Sequence, residues 1–174
     1  MSESSFTARD ALAVSPRDPG ALLRTFASTL DRDGLHAALR WLNARTRYRF
    51  TGVYRFDGPV LRNLALFDRE NPAMHLGNDA VLRETYCGLV AASRAPFETA
   101  DGQRDSRVTV PARETSLAYC GVPVLTAEDA CVGTLCHFDP RPRLLAAGEV
   151  PLLERCAALL APVVSGARRG DSPV

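Results

Sequence analysis

Five cysteines are the most reactive side chains in this chain, and their spacing limits what they can do. They are Cys87, Cys120, Cys131, Cys136 and Cys156. The number is odd and no two of them form a Cys-x-x-Cys pair, so neither a disulfide framework nor a zinc ribbon is indicated. Cys87 stands near a predicted boundary between helix and loop, which makes it a candidate redox-sensing thiol. A buried thiol that only fills the core is the alternative.

His137 and Asp139 are a second candidate group, which we consider as an oriented pair that faces a ligand. Alternate residues of a strand point to the same side of a sheet, so His137 and Asp139 share a face that Cys136 does not. Cys136 and His137 therefore do not bind one metal ion, and no metal site is predicted. The alternative for His137 is a histidine at a strand edge whose hydrogen bonds are satisfied.

The overall composition is that of one ordinary globular domain. Hydrophobic residues make up 46% and charged residues 24% of the 174 residues. The net charge of +1 gives no electrostatic reason to expect nucleic acid or anionic lipid as a partner. All 21 basic residues are arginine, which excludes a lysine Schiff base and a phosphate-loop lysine. Without a membrane-length apolar run or a signal-peptide pattern, we expect a cytoplasmic protein.

These residues must be positioned by strands, and the clearest two form a predicted hairpin at the centre of a sheet. The apolar runs Leu117–Leu125 and Cys131–Phe138 flank the polar tip 126–129, and Pro140 and Pro142 prevent the second run from continuing. A second hairpin is predicted from Phe50–Asp57 and Val60–Asp68, and a short strand from Pro96–Thr99.

Helices are predicted around these strands. The apolar periodicity indicates helices at Ala21–Leu30 and Leu35–Arg45, at 79–93 with Asp79 as N-cap, and at Val150–Val164. Hairpins outnumber crossovers, so we predict an α/β (α+β) fold with an antiparallel central sheet of about five to six strands. Apolar strands imply cover on both faces: the terminal helices on one side, and the middle helix with the long loop 100–113 on the other. We expect a single domain at 21–166, a flexible lead at 1–20 and a flexible tail at 167–174.

Several motifs in the expected order carry a resemblance to a known family. They are ETYCGLV at 84–90 followed by APF at 95–97, DSR at 105–107, YCGVP at 119–123 and GTLCHFD at 133–139. The arrangement resembles the GAF family, the small-ligand and signalling domains related to phytochrome and cyclic-nucleotide-regulated sensors. The resemblance covers roughly 35–164, and the arrangement resembles short bacterial proteins made of a lone GAF domain. It implies a GAF-like fold and a sensory or regulatory function in signal transduction.

The resemblance also implies where a ligand lies, which is between one sheet face and its cover of helix and loop. It does not identify the ligand, and we expect no particular cofactor. Haem ligation by His36, His75 or His137 is one alternative, and a purely structural role for each histidine is the other. Bilin attachment is not favoured because Cys87 has no adjacent histidine. Aromatic residues that simply fill the core are the alternative to a pocket. The candidate ligand-binding residues are Tyr54, Phe67, Tyr86, Cys87, Phe97, Arg107, Tyr119, His137 and Asp139.

One GAF subfamily offers an enzymatic alternative, because it reduces free methionine sulfoxide with pocket cysteines. Cys87, Cys120 and Cys136 are the candidate redox residues in that comparison. The subfamily's GHIAC loop is missing here, and Cys120 lies in an apolar strand where desolvation disfavours the thiolate. We therefore predict a small-ligand sensor that forms a homodimer through its apolar terminal helices. The alternatives are a thiol-dependent redox enzyme or redox sensor, and a non-catalytic dimerisation scaffold.

Overall fold

A computed structural model describes residues 18–166 of the chain. The predicted tail lies outside the described residues, as does the predicted lead up to residue 17. Pro19 and Gly20, which were expected to belong to the lead, already form the first turn of a helix capped by the Asp18 carboxylate. No described helix has the length and apolar character needed to cross a membrane.

The described residues form a six-stranded antiparallel sheet with helices on both faces, which confirms the predicted fold class. The strand order is β3-β2-β1-β6-β5-β4. The helices are α1 (Pro19–Asp33), α2 (Leu35–Ala44), α3 (Tyr86–Ser93) and α4 (Glu149–Gly166), and the strands are β1 (Phe50–Asp57), β2 (Val60–Asp68), β3 (Ala80–Val81), β4 (Phe97–Thr99), β5 (Ala118–Leu125) and β6 (Cys131–Asp139).

The predicted central hairpin is confirmed as β5 and β6. The two strands pair from Ala118 opposite Asp139 to Leu125 opposite Cys131, and β6 also pairs with β1. Asp129 in the connecting turn adopts φ +63°, a left-handed conformation that aspartate tolerates better than most residues. β6 therefore lies in the middle of the sheet and has a neighbour on each side.

Gly34 separates α1 from α2, which correspond to the helices predicted at Ala21–Leu30 and Leu35–Arg45. Gly34 has φ +87°, which is left-handed backbone that only glycine adopts without strain. Its amide donates to the Leu30 carbonyl and ends α1, while its own carbonyl accepts from Ala38 and starts α2.

The prediction that Asp79 begins a helix is wrong. Residues 80 and 81 form β3, which pairs with the edge of β2, and a short 3-10 turn follows at Leu82–Glu84. The Asp79 carboxylate accepts from the backbone amide of Asn63 at 2.9 Å and from Arg62 at 3.0 Å, so it fastens β3 to β2. The true N-cap is Thr85, whose hydroxyl oxygen accepts from the Gly88 amide.

The two faces of the sheet are covered by different elements, as the sequence predicted. On one face, which we call the helical face, α1, α2 and α4 bury a continuous apolar core that includes Phe26, Leu39, Val122, Leu135 and Leu153. The opposite face, which we call the cavity face, is covered by α3 and by the loop that carries Val108 and Val110.

Buried carboxylates fasten the strand ends between these layers. Asp139, which is 1% exposed, accepts from the backbone amides of Arg49 and Arg141 and from the Arg143 guanidinium, at 2.7 to 2.9 Å. Asp68 forms a bidentate pair with the Arg49 guanidinium, both distances being 2.9 Å, and the pair lowers the pKa of Asp68. The ends of β1, β2 and β6 are thereby tied together.

We expect Asp139→Ala to lower the free energy of unfolding by about 3 kcal/mol, because several donors lose a charged acceptor in a buried setting. Urea denaturation measures the change. The control Glu154→Ala removes an exposed carboxylate on α4 and should shift the free energy by less than about 0.5 kcal/mol. Equal effects of the two substitutions would contradict the role given to Asp139.

Candidate functional site

A cavity of about 120 Å³ lies on the cavity face between α3 and the sheet. Strand residues form its floor, α3 forms one wall, and the segments around residues 78–80 and 112–116 complete it. Its lining consists of Tyr54, Leu61, Asn78, Ala80, Thr85, Tyr86, Cys87, Ala112, Ser116, Tyr119, Cys136 and Phe138.

Two glycines allow tyrosine rings to lie along the floor. Gly52 and Gly121 flank Cys136 in the register of β1, β6 and β5. A Cβ atom at Gly52 would lie 2.7 Å from the Tyr54 ring, and one at Gly121 would overlap the Tyr119 hydroxyl. Both rings therefore occupy space that the side chain of any residue other than glycine at positions 52 and 121 would fill.

The wall next to the floor is a stack of aromatic rings. The rings of Tyr86 and Tyr119 are nearly parallel, at 11°, with centroids 4.8 Å apart. The Tyr86 hydroxyl donates to the Ser116 carbonyl at 2.7 Å, which fixes the ring against the loop that precedes β5. Burial raises the pKa of Tyr86 to about 12, so the hydroxyl keeps its proton at neutral pH.

Cys87 is the polar centre of the cavity. Its sulfur accepts a hydrogen bond from the Thr134 hydroxyl at 3.2 Å and lies 3.3 Å from the Tyr119 hydroxyl. Cys136 lines the same cavity, and its thiol donates to the Gly52 carbonyl at 3.8 Å. Burial alone would raise the pKa of Cys87, but these hydrogen bonds bring it below its ordinary value. Burial raises the pKa of Cys136, and the neighbouring Cys87 raises it further. The Thr134 hydroxyl donates to Cys87 whereas the Cys136 thiol donates to a carbonyl, so the hydrogen-bond geometry favours Cys87 as the thiolate of the pair.

The three candidate redox cysteines are not brought together. Cys87 and Cys136 meet in the cavity, whereas Cys120 points to the helical face and packs in the core there. Burial raises the pKa of Cys120 strongly, because no hydrogen-bond donor among the described residues compensates for the desolvation of a thiolate.

His137 also lies on the helical face, away from the cavity. Its Nδ1 is 2.7 Å from the hydroxyl of Thr51, which itself accepts from the Asn43 amide at 2.9 Å. Either atom can be the donor of the Thr51–Nδ1 hydrogen bond, and Nε2 is buried without a partner among the described residues. Burial lowers the pKa of His137 to about 3. Since Asp139 binds the Arg143 guanidinium and two backbone amides instead, the two residues do not form a ligand-facing pair.

Three other candidates lie outside the cavity lining. Phe67 is on the helical face, 5.6 Å from the His36 ring. Phe97 packs behind Tyr86 at 6.4 Å, and the Arg107 guanidinium covers it from solvent at 4.8 Å. Arg107 also pairs with Asp105, whose pKa it lowers, and that pair holds the loop against β4 through the Glu98 carbonyl.

Four of the nine ligand candidates line the cavity, and several lining residues were missed. The four are Tyr54, Tyr86, Cys87 and Tyr119. Phe138 shares the parity of Cys136 on β6, so strand alternation was a signal that could have found it. Asn78 and Ala80 were missed because the segment was interpreted as the start of a helix.

The chemical character of the lining is neutral. Its described residues include no arginine, aspartate, glutamate or histidine. The polar groups are hydroxyls, the Asn78 amide and the two thiols. Such a lining can receive one or two hydrogen bonds from a ligand but offers no partner for a full charge.

Comparison with known proteins agrees with the fold. The family model described as GAF domain matches residues 20–164. Over 83 residues the chain is 34% identical to the cyclic di-GMP phosphodiesterase PA2567 of Pseudomonas aeruginosa, and the matched region covers 45% of this chain and 14% of that relative.

Three solved structures illustrate the range of similar folds. The GAF domain of the Acinetobacter phosphoenolpyruvate-protein phosphotransferase has a TM-score of 0.68 at 19% identity, covering 84% of this chain and 92% of that one. The free methionine-R-sulfoxide reductase of Neisseria meningitidis has 0.66 at 15% identity, covering 97% of both chains. The chromophore-binding domain of Stigmatella aurantiaca bacteriophytochrome has 0.65 at 12%, covering 94% and 64%.

The buried neutral histidine predicts a specific pH dependence. The unfolded chain binds a proton at His137 with a pKa of about 6.5, whereas the folded chain does so only near 3. The unfolded state gains protons as the pH falls below 6.5, so we expect this residue to remove about 2 kcal/mol of stability between pH 7 and pH 5. Urea denaturation at both pH values measures it.

Two variants test the assignment. His137→Gln should flatten this pH dependence, whereas the control Ser28→Gln, at an exposed position of α1, should retain the wild-type slope. An unchanged slope in His137→Gln would show that other groups titrate in this range.

Proposed function

This chain belongs to the GAF domain family, and we propose that it is a sensory or regulatory domain for a small uncharged molecule with an aromatic or apolar body. The ligand occupies the cavity under α3. The observation that supports this most directly is a cavity walled by tyrosine rings and thiols whose described lining carries no charged side chain.

The size of the cavity limits the ligand. An apolar cavity of about 150 Å³ holds one benzene molecule, and the volume here is about 120 Å³. A single ring or a short branched chain fits. A tetrapyrrole chromophore or a cyclic dinucleotide would need the cover to open by a large movement, so the ligands suggested by the names of the bacteriophytochrome and phosphodiesterase relatives are not favoured.

The uncharged lining favours a ligand-binding sensor over a thiol-dependent enzyme. Free methionine sulfoxide is a zwitterion at neutral pH, and burying its ammonium and carboxylate groups requires opposite charges nearby. The described lining supplies none. We therefore propose a sensor rather than a reductase of the kind named for the Neisseria protein.

Ligand binding would act on the cover of the cavity. That cover consists of three short segments, namely α3, residues 78–80 and residues 112–116, which a bound ligand would hold in one arrangement. α3 rests on β5 and β6, and α4 rests on the other face of the same two strands. A shift of the hairpin is thus the direct route from the cavity to the terminal helices.

The proposed output is a homodimer formed through α4. Leu159 and Val163 are 39% and 41% exposed and lie four residues apart, so they share one side of the helix. Ala158 and Pro162 beside them are exposed as well, which makes an apolar stripe within the described residues. A second copy is the occupant we propose, because two identical stripes can pack around a two-fold axis.

The neutrality of the ligand gives a direct test with two probes of similar size. We expect benzyl alcohol to bind and raise the melting temperature, and benzoate to bind at least about 100-fold more weakly because its charge has no partner. Isothermal titration calorimetry and native mass spectrometry measure both.

Two variants locate the binding site of benzyl alcohol. Ala112→Phe should fill the cavity and abolish benzyl alcohol binding, whereas Ala92→Leu, on the exposed side of α3, should not. Benzoate that binds as well as the alcohol, or binding that survives Ala112→Phe, would contradict the proposed site. A protein that binds neither probe and retains no metabolite on purification would favour a scaffold.

Dimer formation is tested separately by sedimentation velocity. We expect a dimer at tens of micromolar, and Leu159→Glu should weaken it at least tenfold by placing a charge in the apolar contact. Leu144→Glu is the matched control, because Leu144 is 85% exposed on a loop. A wild-type monomer, or a Leu159→Glu dimer of unchanged affinity, would exclude α4 as the interface.

A further inference from the structure

Two thiols from different elements line the same cavity. Cys87 comes from the first turn of α3 and Cys136 from the middle of β6. We propose that Cys87 and Cys136 are a peroxide-responsive pair that forms a reversible disulfide between the cavity cover and the central strand. This inference stands independently of the organic ligand proposed above.

The contacts around the two sulfurs select this pair. Both thiols line the same cavity, and the Tyr119 hydroxyl lies 3.3 Å from the Cys87 sulfur and in the Cβ space of Gly121, the register partner of Cys136. The Thr134 hydroxyl donates to Cys87 at 3.2 Å. Donors that converge on one sulfur stabilise its thiolate, which is the form that reacts with peroxides.

The other three thiols lack this arrangement. Cys120 and Cys156 lie in the core of the helical face, and burial raises the pKa of Cys156 to about 12. Cys131 lies at the end of the hairpin, where burial also raises its pKa. Each of these three is a less reactive thiol than Cys87, whose pKa is lowered.

Peroxide can reach Cys87 through the cavity. Cys87 itself is 3% exposed, but Asn78 in the same lining is exposed, so the lining extends to the surface. Hydrogen peroxide is close to water in size and is far smaller than a cavity of about 120 Å³. The site therefore admits this oxidant.

The reaction balances with hydrogen peroxide as the only oxidant. The Cys87 thiolate attacks one peroxide oxygen, the S–O bond forms, the O–O bond breaks, and hydroxide leaves to become water with the proton released by Cys87. The Cys136 sulfur then attacks the sulfur of the Cys87 sulfenic acid, the S–S bond forms, and the S–O bond breaks, giving a second water with the Cys136 proton. Two thiols and one peroxide yield one disulfide and two waters.

The disulfide would change the cavity that the sensor uses. The S–S bond is about 2.05 Å long, which is shorter than any contact between separate thiols, so α3 must move toward β6. The sulfurs that now line the cavity would also lose their hydrogen-bonding protons. Oxidation is therefore expected to alter the position of the cavity cover through the same helix that a ligand contacts.

Peptide mapping tests the pair in the full-length protein. After treatment with hydrogen peroxide, free thiols are alkylated and the protein is digested. Trypsin isolates Cys87 in the peptide Glu84–Arg94, whereas Cys136 shares the tryptic peptide 114–143 with Cys120 and Cys131. Additional cleavage after Glu128 separates Cys120, and the variant Cys131→Ser then leaves Cys136 as the single cysteine of peptide 129–143.

We expect a linked peptide between Cys87 and Cys136 in both the wild type and Cys131→Ser, and its loss on treatment with dithiothreitol. In Cys136→Ser we expect less than about a tenth of Cys87 to be disulfide-linked to any other cysteine, and dimedone should instead label Cys87 as the sulfenic acid. The Cys131→Ser experiment identifies the partner even if Cys136→Ser fails to fold.

The results separate this inference from the proposed ligand function. If Cys87 stays free in peroxide-treated Cys131→Ser, or is linked to Cys120, the proposed disulfide is wrong. That result does not bear on the ligand proposal, which benzyl alcohol binding tests separately. A disulfide that forms in a protein without affinity for benzyl alcohol would support the redox pair and refute the ligand proposal.

Discussion

The alternation of side chains along β6 is the constraint on which the rest of the structure depends. β6 lies between β1 and β5, so its side chains can only point to one face of the sheet or the other. Leu135 and His137 point to the helical face, and Cys136 and Phe138 point to the cavity face. One strand thus supplies a packed core on one side and the floor of a cavity on the other.

The two faces differ in how they hold their polar groups. On the helical face, α1, α2 and α4 pack around a neutral His137 whose Nδ1 is bonded to Thr51, while His137 Nε2 and the Tyr48 hydroxyl are buried without a partner among the described residues. On the cavity face, glycines at 52 and 121 remove side chains, and tyrosine rings lie in the vacated space. This second arrangement leaves an unfilled volume that the thiol of Cys87 borders.

Sequence patterns predicted the fold well because hairpins and apolar runs are local features. The two prolines after β6 and the glycine between α1 and α2 marked the element boundaries that the structure has. The site was predicted less well for two physical reasons. Which face of a strand carries a cavity depends on which helix packs there. Phe67 and His137 were therefore predicted in the cavity, although both lie on the helical face. Asp79 bonds to Asn63 and Arg62 across the sheet edge. The sequence preferences for a helix N-cap are local and cannot predict this tertiary contact.

Xenon under pressure in crystals of the reduced protein tests the central claim that one face of the sheet is filled and the other keeps an apolar cavity. Xenon enters dry apolar cavities and is located by its anomalous scattering. The account predicts one strong peak in contact with Tyr54, Tyr119 and Cys87. A peak between the sheet and α2 or α4, or no peak beneath α3, would contradict it.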